Sequence, residues 1–241
     1  MVNTHLRQNQ KTIAWEILDW IFPPSCCGCG IKGAVICPSC RKSLTLLEEP
    51  VCQICGKPFD PLDGCKTCRS QEMRFTSARA AFLYQGIVRE AIHQLKYSGN
   101  LEISQVFANY LLSVYLKQNW EPDFVIAVPL SKEKMNERGF NQSEWIAKPL
   151  AKAIRKPYLK GALRKKQDTD SQVGLGRTER IENLRGAFQA EPILVRGKNI
   201  LVIDDVMTTG STFNECAGTL KASGAKDVFC LSVATTDSLK D

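Results

Sequence analysis

The sequence predicts an α/β fold on a parallel sheet, preceded by a small N-terminal cysteine-rich module. Three observations predict it. Nine of the eleven cysteines fall between Cys26 and Cys68. Past Gln71 to Ser77 the cysteine cluster ends, and apolar segments of strand and helix character begin to alternate. Late in the chain, the buried run Ile200 to Ile203 ends in two carboxylates and a hydroxyl-rich turn that opens a helix, which is the strand–turn–helix junction of a parallel sheet. A length of 241 residues holds one domain of ordinary size and a smaller one, so residues 1–70 and 71–241 are the expected domains.

The first module follows from cysteine spacing. Eight cysteines form four CxxC pairs, Cys26/Cys29, Cys37/Cys40, Cys52/Cys55 and Cys65/Cys68, where random placement gives roughly half a pair. Two thiolates three positions apart on a tight turn reach one ion, and two such turns complete the S4 tetrahedron that Zn²⁺ prefers. Gly30 and Gly56 suit the turns. The sequence therefore supplies ligands for two zinc ions, with sequential pairing favoured by the short loops and a cross-braced arrangement as the alternative. Cys27 competes with Cys26, but only Cys26 has the required spacing. Four thiolates leave no open position, so both sites are structural. The zinc stands in for a core that some seventy residues with few large apolar side chains cannot build.

The elements of the second domain are expected in order: a strand at Ala80 to Tyr84, helices near Gly86 to Tyr97 and Leu101 to Lys117, a buried strand at Phe124 to Val128, and a helix from about Asn141 to Arg155. A strand near Tyr158 to Arg164, a basic loop and a helix near Thr178 to Leu184 follow. A strand at Ile200 to Ile203, a helix from Ser211 to Ser223 and a last strand at Val228 to Ala234 complete the pattern.

Composition narrows the function. Lys and Arg (32) exceed Asp and Glu (25) for a net charge of +7, and 44% of side chains are apolar, which excludes disordered, collagenous and coiled-coil classes. The longest uncharged apolar stretch, Ile103 to Leu116, falls short of the ~20 residues needed to span a bilayer. The run Ile13 to Phe22 carries Glu16 and Asp19 and no small-residue cleavage site follows, so a secretory signal is not expected and the protein is placed in the cytosol. His5 and His93 pair with no cysteine motif, and Cys216 and Cys230 read as small buried hydrophobes.

The chemistry concentrates at Ile200 to Thr212. Ligands of open α/β folds bind beyond the carboxyl ends of the strands. The amides of Thr208 to Thr212 at a helix N-terminus, with the hydroxyls of Thr208, Thr209, Ser211 and Thr212, can cradle a phosphate, which Gly210 lets the backbone approach closely. Asp204 and Asp205, ionised, accept hydrogen bonds from two vicinal ribose hydroxyls. Phosphate and ribose together specify a sugar phosphate.

This stretch resembles the phosphoribosyl pyrophosphate (PRPP) signature of type I phosphoribosyltransferases. More of the chain is similar to the ComF branch of that family. The marks are the double CxxC region, Leu95-Lys96-Tyr97-Ser98-Gly99-Asn100, Val128-Pro129-Leu130 and Arg138-Gly139-Phe140-Asn141-Gln142. They continue through Thr169, Gln172, Leu175, Arg180 and Asn183 to Gly186-Ala187-Phe188 and the acid pair. The resemblance implies a type I phosphoribosyltransferase-like parallel sheet flanked by helices. It also implies a pyrophosphate loop at Pro129 to Lys134, including Leu130, Ser131 and Lys132, and a mobile loop at about Lys165 to Arg177. Arg138, Arg164 and Lys165 are the favoured cationic contacts. Residues 152–185 hold ten basic side chains against four acids, and Mg²⁺ bridging pyrophosphate oxygens would add to that charge.

The resemblance also implies a role in DNA uptake and natural transformation, by handling incoming single-stranded DNA, with a helicase-like ATPase as partner because the chain has no GxxxxGK[ST] loop of its own. That machinery would bring the cytoplasmic protein to the inner face of the membrane. Lys32, Arg41, Lys42, Lys57, Lys66 and Arg69 are expected on the exposed face of the zinc region, and Phe59, Phe75, Tyr97 and Phe140 are candidates for base stacking. The alternative is a catalytically active phosphoribosyltransferase of nucleotide metabolism. Its acceptor is not identified by any residue, and a glutamine-hydrolysing half is not expected.

Overall fold

The computed structural model describes residues 23–166 and 186–237. The chain divides into two compact units, Met1–Ser43 and Leu44–Asp241. In the first, Cys26 and Cys29 lie on one turn, while Cys37 and Cys40 lie at the cap and in the body of the short helix α1 (Pro38–Lys42).

The larger unit begins with the second cysteine group, whose last turn is helix α2 (Lys66–Ser70). Its sheet is formed by β1 (Ser77–Leu83), β2 (Phe124–Ala127), β5 (Asn199–Met207) and β6 (Asp227–Thr235) in the order β1-β6-β5-β2. All three pairings are parallel. The connections supply α3 (Gly86–Tyr97), α4 (Leu101–Tyr115), α5 (Lys132–Arg138), α6 (Gln142–Ala153) and α8 (Ser211–Ala222), with the short α7 (Pro192–Val195) ahead of β5. This is the expected parallel sheet with flanking helices. β5 and β6 are buried almost throughout, as parallel strands covered on both faces must be.

Alternation assigns the faces. Ala78, Ile126, Val202, Val228 and Cys230 join Phe213, Cys216, Ala217 and Leu220 of α8 in one core, to which Cys52, Cys55 and Phe75 also belong. Helices α4 and α6 pack on the same strands from the other face, led by the fully buried Ile103, Phe107, Leu111, Ile146 and Leu150. Cys216 and Cys230 are wholly buried, and burial pushes both thiols well above the ordinary range.

The strand expected over Tyr158 to Arg164 is divided. Tyr158 makes a single parallel bridge to Val125. The chain then turns at Gly161 (φ +86°) into β3 (Leu163–Lys165), which pairs antiparallel with β4 (Phe188–Ala190). The left-handed backbone at Gly161 ends one strand direction and starts another. The run Ile13 to Phe22 and the helix expected near Thr178–Leu184 lie outside the described residues. Among the described residues, no helix is long and apolar enough to cross a membrane.

Candidate functional site

The eight CxxC cysteines come together as two tetrads in sequence order, Cys26/Cys29/Cys37/Cys40 and Cys52/Cys55/Cys65/Cys68, each with all four sulfurs within 4.8 Å of one another. Neighbouring sulfurs stand 3.6 Å apart for Cys29–Cys37, 3.7 Å for Cys52–Cys68 and 3.5 Å for Cys55–Cys65. A tetrahedron with Zn–S bonds of about 2.3 Å has edges of about 3.8 Å, so the donor sets fit zinc. All eleven cysteines are free thiols. One sulfur of each tetrad is predisposed to ionise. Burial alone would raise the Cys26 thiol, but backbone N–H groups of Cys37, Cys29 and Gly28 outweigh it and bring it down to about 6. At Cys52 burial is likewise outweighed, by the N–H groups of Cys55 and Ile54, and the thiol is lowered.

Elsewhere, the carboxyl end of β5 brings Asp204 and Asp205 to the edge of the sheet beside the start of α6. Asn141 fixes that start. Its Nδ2 donates to the Val128 carbonyl at the end of β2 (2.9 Å), and its Oδ1 accepts from the Ser143 N–H (3.0 Å), an N-cap that ties helix to strand. The next two side chains then face the acids. Gln142 Nε2 donates to Asp205 Oδ2 (2.8 Å) and Ser143 Oγ to Asp204 Oδ1 (2.8 Å). From the end of α3, Lys96 Nζ reaches the same Asp205 Oδ2 at 3.0 Å. Arg138, in the last turn of α5, donates to Gln142 Oε1 (3.1 Å) and lies over the Tyr97 ring, 5.2 Å from its centroid. Burial, and next the charge of Asp205, push the Asp204 carboxyl up to about 7 against the bonds from Ser143 and the Asp205 N–H.

The hydroxyl turn follows at once. Gly210 takes φ +82° and caps α8, a conformation that costs any other residue steric strain. Thr209 Oγ1 and Ser211 Oγ are 2.7 Å apart, and the Ser211 N–H donates to Thr209 Oγ1 (3.3 Å). Thr208 is exposed, while Thr209 and Thr212 are half-buried, at the start of α8, where the first-turn amides have no intrahelical partners.

The remaining expected residues sit around the end of β2. Ser131 is buried and caps α5 by accepting from the Lys134 N–H (3.4 Å), while Lys132 is exposed on its first turn. Leu130, Arg164 and Lys165 line a cavity of about 390 Å³ with Tyr158, Glu144 and Lys160. Glu144 is buried there and pairs with Lys148 (2.7 Å) and Lys160 (3.5 Å). The loop expected at Lys165 to Arg177 lies outside the described residues beyond Lys166, as do Thr169, Gln172, Leu175, Arg180 and Asn183.

Two expectations are corrected. Lys57 is not on the exposed face of the zinc region: only 3% of it is accessible, and its Nζ donates to Thr236 Oγ1 at 3.1 Å. Phe75 is a core residue at 3% exposure and cannot stack on a base. Sequence reasoning did not assign roles to Gln142, Ser143 and Lys96, although Gln142 and Lys96 lie in strings that carry the family resemblance.

Comparison with known proteins agrees with the parallel-sheet fold and with the cysteine tetrads. The double zinc ribbon domain model matches residues 17–69 and the phosphoribosyl transferase domain model residues 141–239. The fold and the two tetrads thus define a phosphoribosyltransferase domain carrying a double zinc ribbon. The competence protein ComFC of Bacillus subtilis (strain 168) is 29% identical over 224 residues, covering 90% of this chain and 87% of the relative. The DNA utilization protein YhgH of Escherichia coli (strain K12) is 31% identical over 204 residues, 81% of this chain and 89% of the relative. ComFC of Streptococcus pneumoniae (strain ATCC BAA-255 / R6) is 32% identical over 200 residues, 82% and 86% respectively. The chain belongs to the ComF family.

Proposed function

We propose that this protein binds PRPP at the carboxyl edge of β5 and acts in DNA uptake and natural transformation by handling incoming single-stranded DNA. One observation carries the ligand: adjacent aspartates, each held through a single oxygen by Ser143, Gln142 and Lys96, stand directly before the Thr208–Thr212 turn at the start of α8. The other oxygens of Asp204 and Asp205 accept the two ribose hydroxyls. The hydroxyls of Thr208, Thr209, Ser211 and Thr212 and the first-turn amides hold the 5′-phosphate. Ser131, Lys132, Arg138, Arg164 and Lys165 flank the pyrophosphate, whose Mg²⁺ neutralises the rest of its charge. Calorimetric titration of the full chain with PRPP and Mg²⁺ tests this. Asp204→Asn with Asp205→Asn removes binding while two zinc ions per chain remain, and unchanged affinity overturns the site.

The DNA role draws on the names of the relatives, two competence proteins and a DNA utilization protein, and on exposed Lys32, Arg41, Lys42, Lys66 and Arg69. A single strand bound through its phosphates gives log K falling with log salt at about −0.7 per phosphate neutralised. A flat response removes this role. A helicase-like ATPase docked on the zinc region supplies movement and brings this cytoplasmic protein to the inner face of the membrane, and a pull-down unaffected by loss of residues 1–70 defeats that docking. Turnover is the second reading, favoured by the cavity beside the site, which has room for an acceptor. Pyrophosphate release from PRPP with one of a panel of bases and amines would establish it.

A further inference from the structure

Two carbonyls of the hydroxyl turn are held from outside it. Gln71 Nε2 donates to the Thr209 carbonyl at 2.7 Å. Thr236 Oγ1 donates to the Thr208 carbonyl at 3.4 Å and accepts from the buried Lys57 Nζ at 3.1 Å. Lys57 and Gln71 both belong to the segment that forms the second cysteine tetrad. The Lys57 N–H is bonded to the Cys55 sulfur, and its carbonyl accepts from the Cys52 N–H at 2.8 Å. Gln71 directly follows α2, the turn that carries Cys68 and is capped by Cys65. The segment between Gln71 and β1 is fastened to α8 as well: Asn214 Nδ2 donates to the Glu72 carbonyl (2.9 Å), and its Oδ1 accepts from the Arg74 N–H.

A trans peptide is planar, and its C=O and following N–H point in opposite directions. Gripping the Thr208 and Thr209 carbonyls therefore fixes where the N–H groups of Thr209 and Gly210 point. Those donors lie on the side of the turn away from the gripping side chains.

We propose that the second tetrad, through Lys57 and Gln71, orients the Thr209 and Gly210 amides for a phosphate ester, so that affinity at this turn depends on the metal of that tetrad. The ligand part rests on the PRPP reading, whereas the coupling of tetrad to turn does not. Lys57 and Gln71 are positioning residues and touch no ligand themselves. Because Lys57 is buried, its bond to Thr236 forms away from bulk water, where the lower dielectric strengthens it.

The test uses the full chain loaded with two zinc ions, compared with Gln71→Ala and Lys57→Met, each checked for unchanged zinc content. Amide hydrogen exchange without ligand is expected to rise at residues 207–212 in both variants and to stay unchanged over Val228–Ala234. A general loss of stability would instead raise exchange in both places. PRPP affinity with Mg²⁺ is expected to fall about five- to tenfold per variant, the effect of one lost hydrogen bond at the turn. Chelation of the wild-type chain should raise exchange at 207–212, and zinc re-addition should restore it. Unchanged exchange at 207–212 in Gln71→Ala and Lys57→Met overturns the proposal, as does a rise shared equally by Val228–Ala234. Wild type that fails to bind PRPP defeats the ligand reading, and the exchange measurements then decide the coupling by themselves. If stripped protein unfolds as a whole, Gln71→Ala, which keeps all eight cysteines, decides between coupling and none.

Discussion

The two cysteine tetrads have the same donors and near-identical sulfur spacings, yet they stand in different surroundings. Among residues 23–43, the only buried apolar side chains besides cysteines are Val35 and Ile36, so cysteines supply most of the buried side chains there. In the second tetrad Cys55 is 1% exposed and, with Cys52, belongs to the core that contains Phe75, Ala78, Phe213 and Cys216. Its turn runs so close to β1 that a Cβ on Gly56 would collide with the Ala78 carbonyl oxygen, and Ala78 N–H donates to the Ile54 carbonyl at 2.7 Å. One ligand chemistry thus stands among few other buried side chains over residues 23–43 and forms a corner of a larger core in the other place. The second tetrad has become part of the domain that carries the proposed site.

The contrast is most severely tested at Cys55. Structural zinc sites are worth about 10–16 kcal/mol, as much as the whole stability of an ordinary domain. Cys55→Ser is expected to lose one zinc and to abolish cooperative unfolding of the sheet, followed by circular dichroism. Cys37→Ser is expected to lose one zinc and leave the sheet's transition in place, and equal damage from both would end the contrast. Next in size is Phe213→Ala, which empties the core shared with Cys55 and should cost about 3–5 kcal/mol in denaturant unfolding. Gly56→Ala forces a Cβ against backbone that cannot swing away, so it should lower the sheet's midpoint, whereas Gly30→Ala, with open space around it, meets only its own strained φ.

A smaller effect separates the site from both tetrads. The Asp204 carboxyl lies above its ordinary value, at about 7. The folded state therefore holds a proton that the unfolded chain has released, and the stability this contributes is full below about pH 4 and lost as pH rises through about 7. Asp204→Asn should flatten that decline between about pH 4 and 7 in thermal melts while removing PRPP binding. A decline of undiminished slope would remove Asp204 as its source. Least of all, Lys198→Ala breaks a surface pair with Asp123, both about half exposed, and should shift stability by less than about 0.5 kcal/mol.

Much of this was legible in the sequence because it is local. The CxxC spacing, the strand-to-turn string Ile200 to Thr212 and the helices Gly86–Tyr97 and Ser211–Ala222 depend on neighbours a few positions away. The missed features depend on partners far along the chain. Lys57 meets Thr236, Gln71 meets Thr209, and Lys96 meets Asp205, each across a hundred residues or more. A lysine among zinc ligands reads as a solvated charge until the fold places a hydroxyl over it. Gln142 had a local signal, the Asn141 N-cap that sets its direction, but its target could be found only once β5 lay beside β2. The division at Gly161 was hidden because an apolar run on both sides of a glycine reads as one strand with a bulge.

The pairing of β1 with β6 joins Ser77 to Phe229, so the first strand of the described sheet finds its partner only once the segment from Asp227 has been synthesised. On the ribosome β1 must wait through roughly 150 residues of translation, a long closure that slows assembly. Truncation before Asp227 would leave β1 and β5 each with an open parallel edge, the kind of surface on which nascent chains stick to one another. A ribbon that captures its metal early, and already holds Ala78 through Ile54, would keep that waiting strand occupied until β6 arrives.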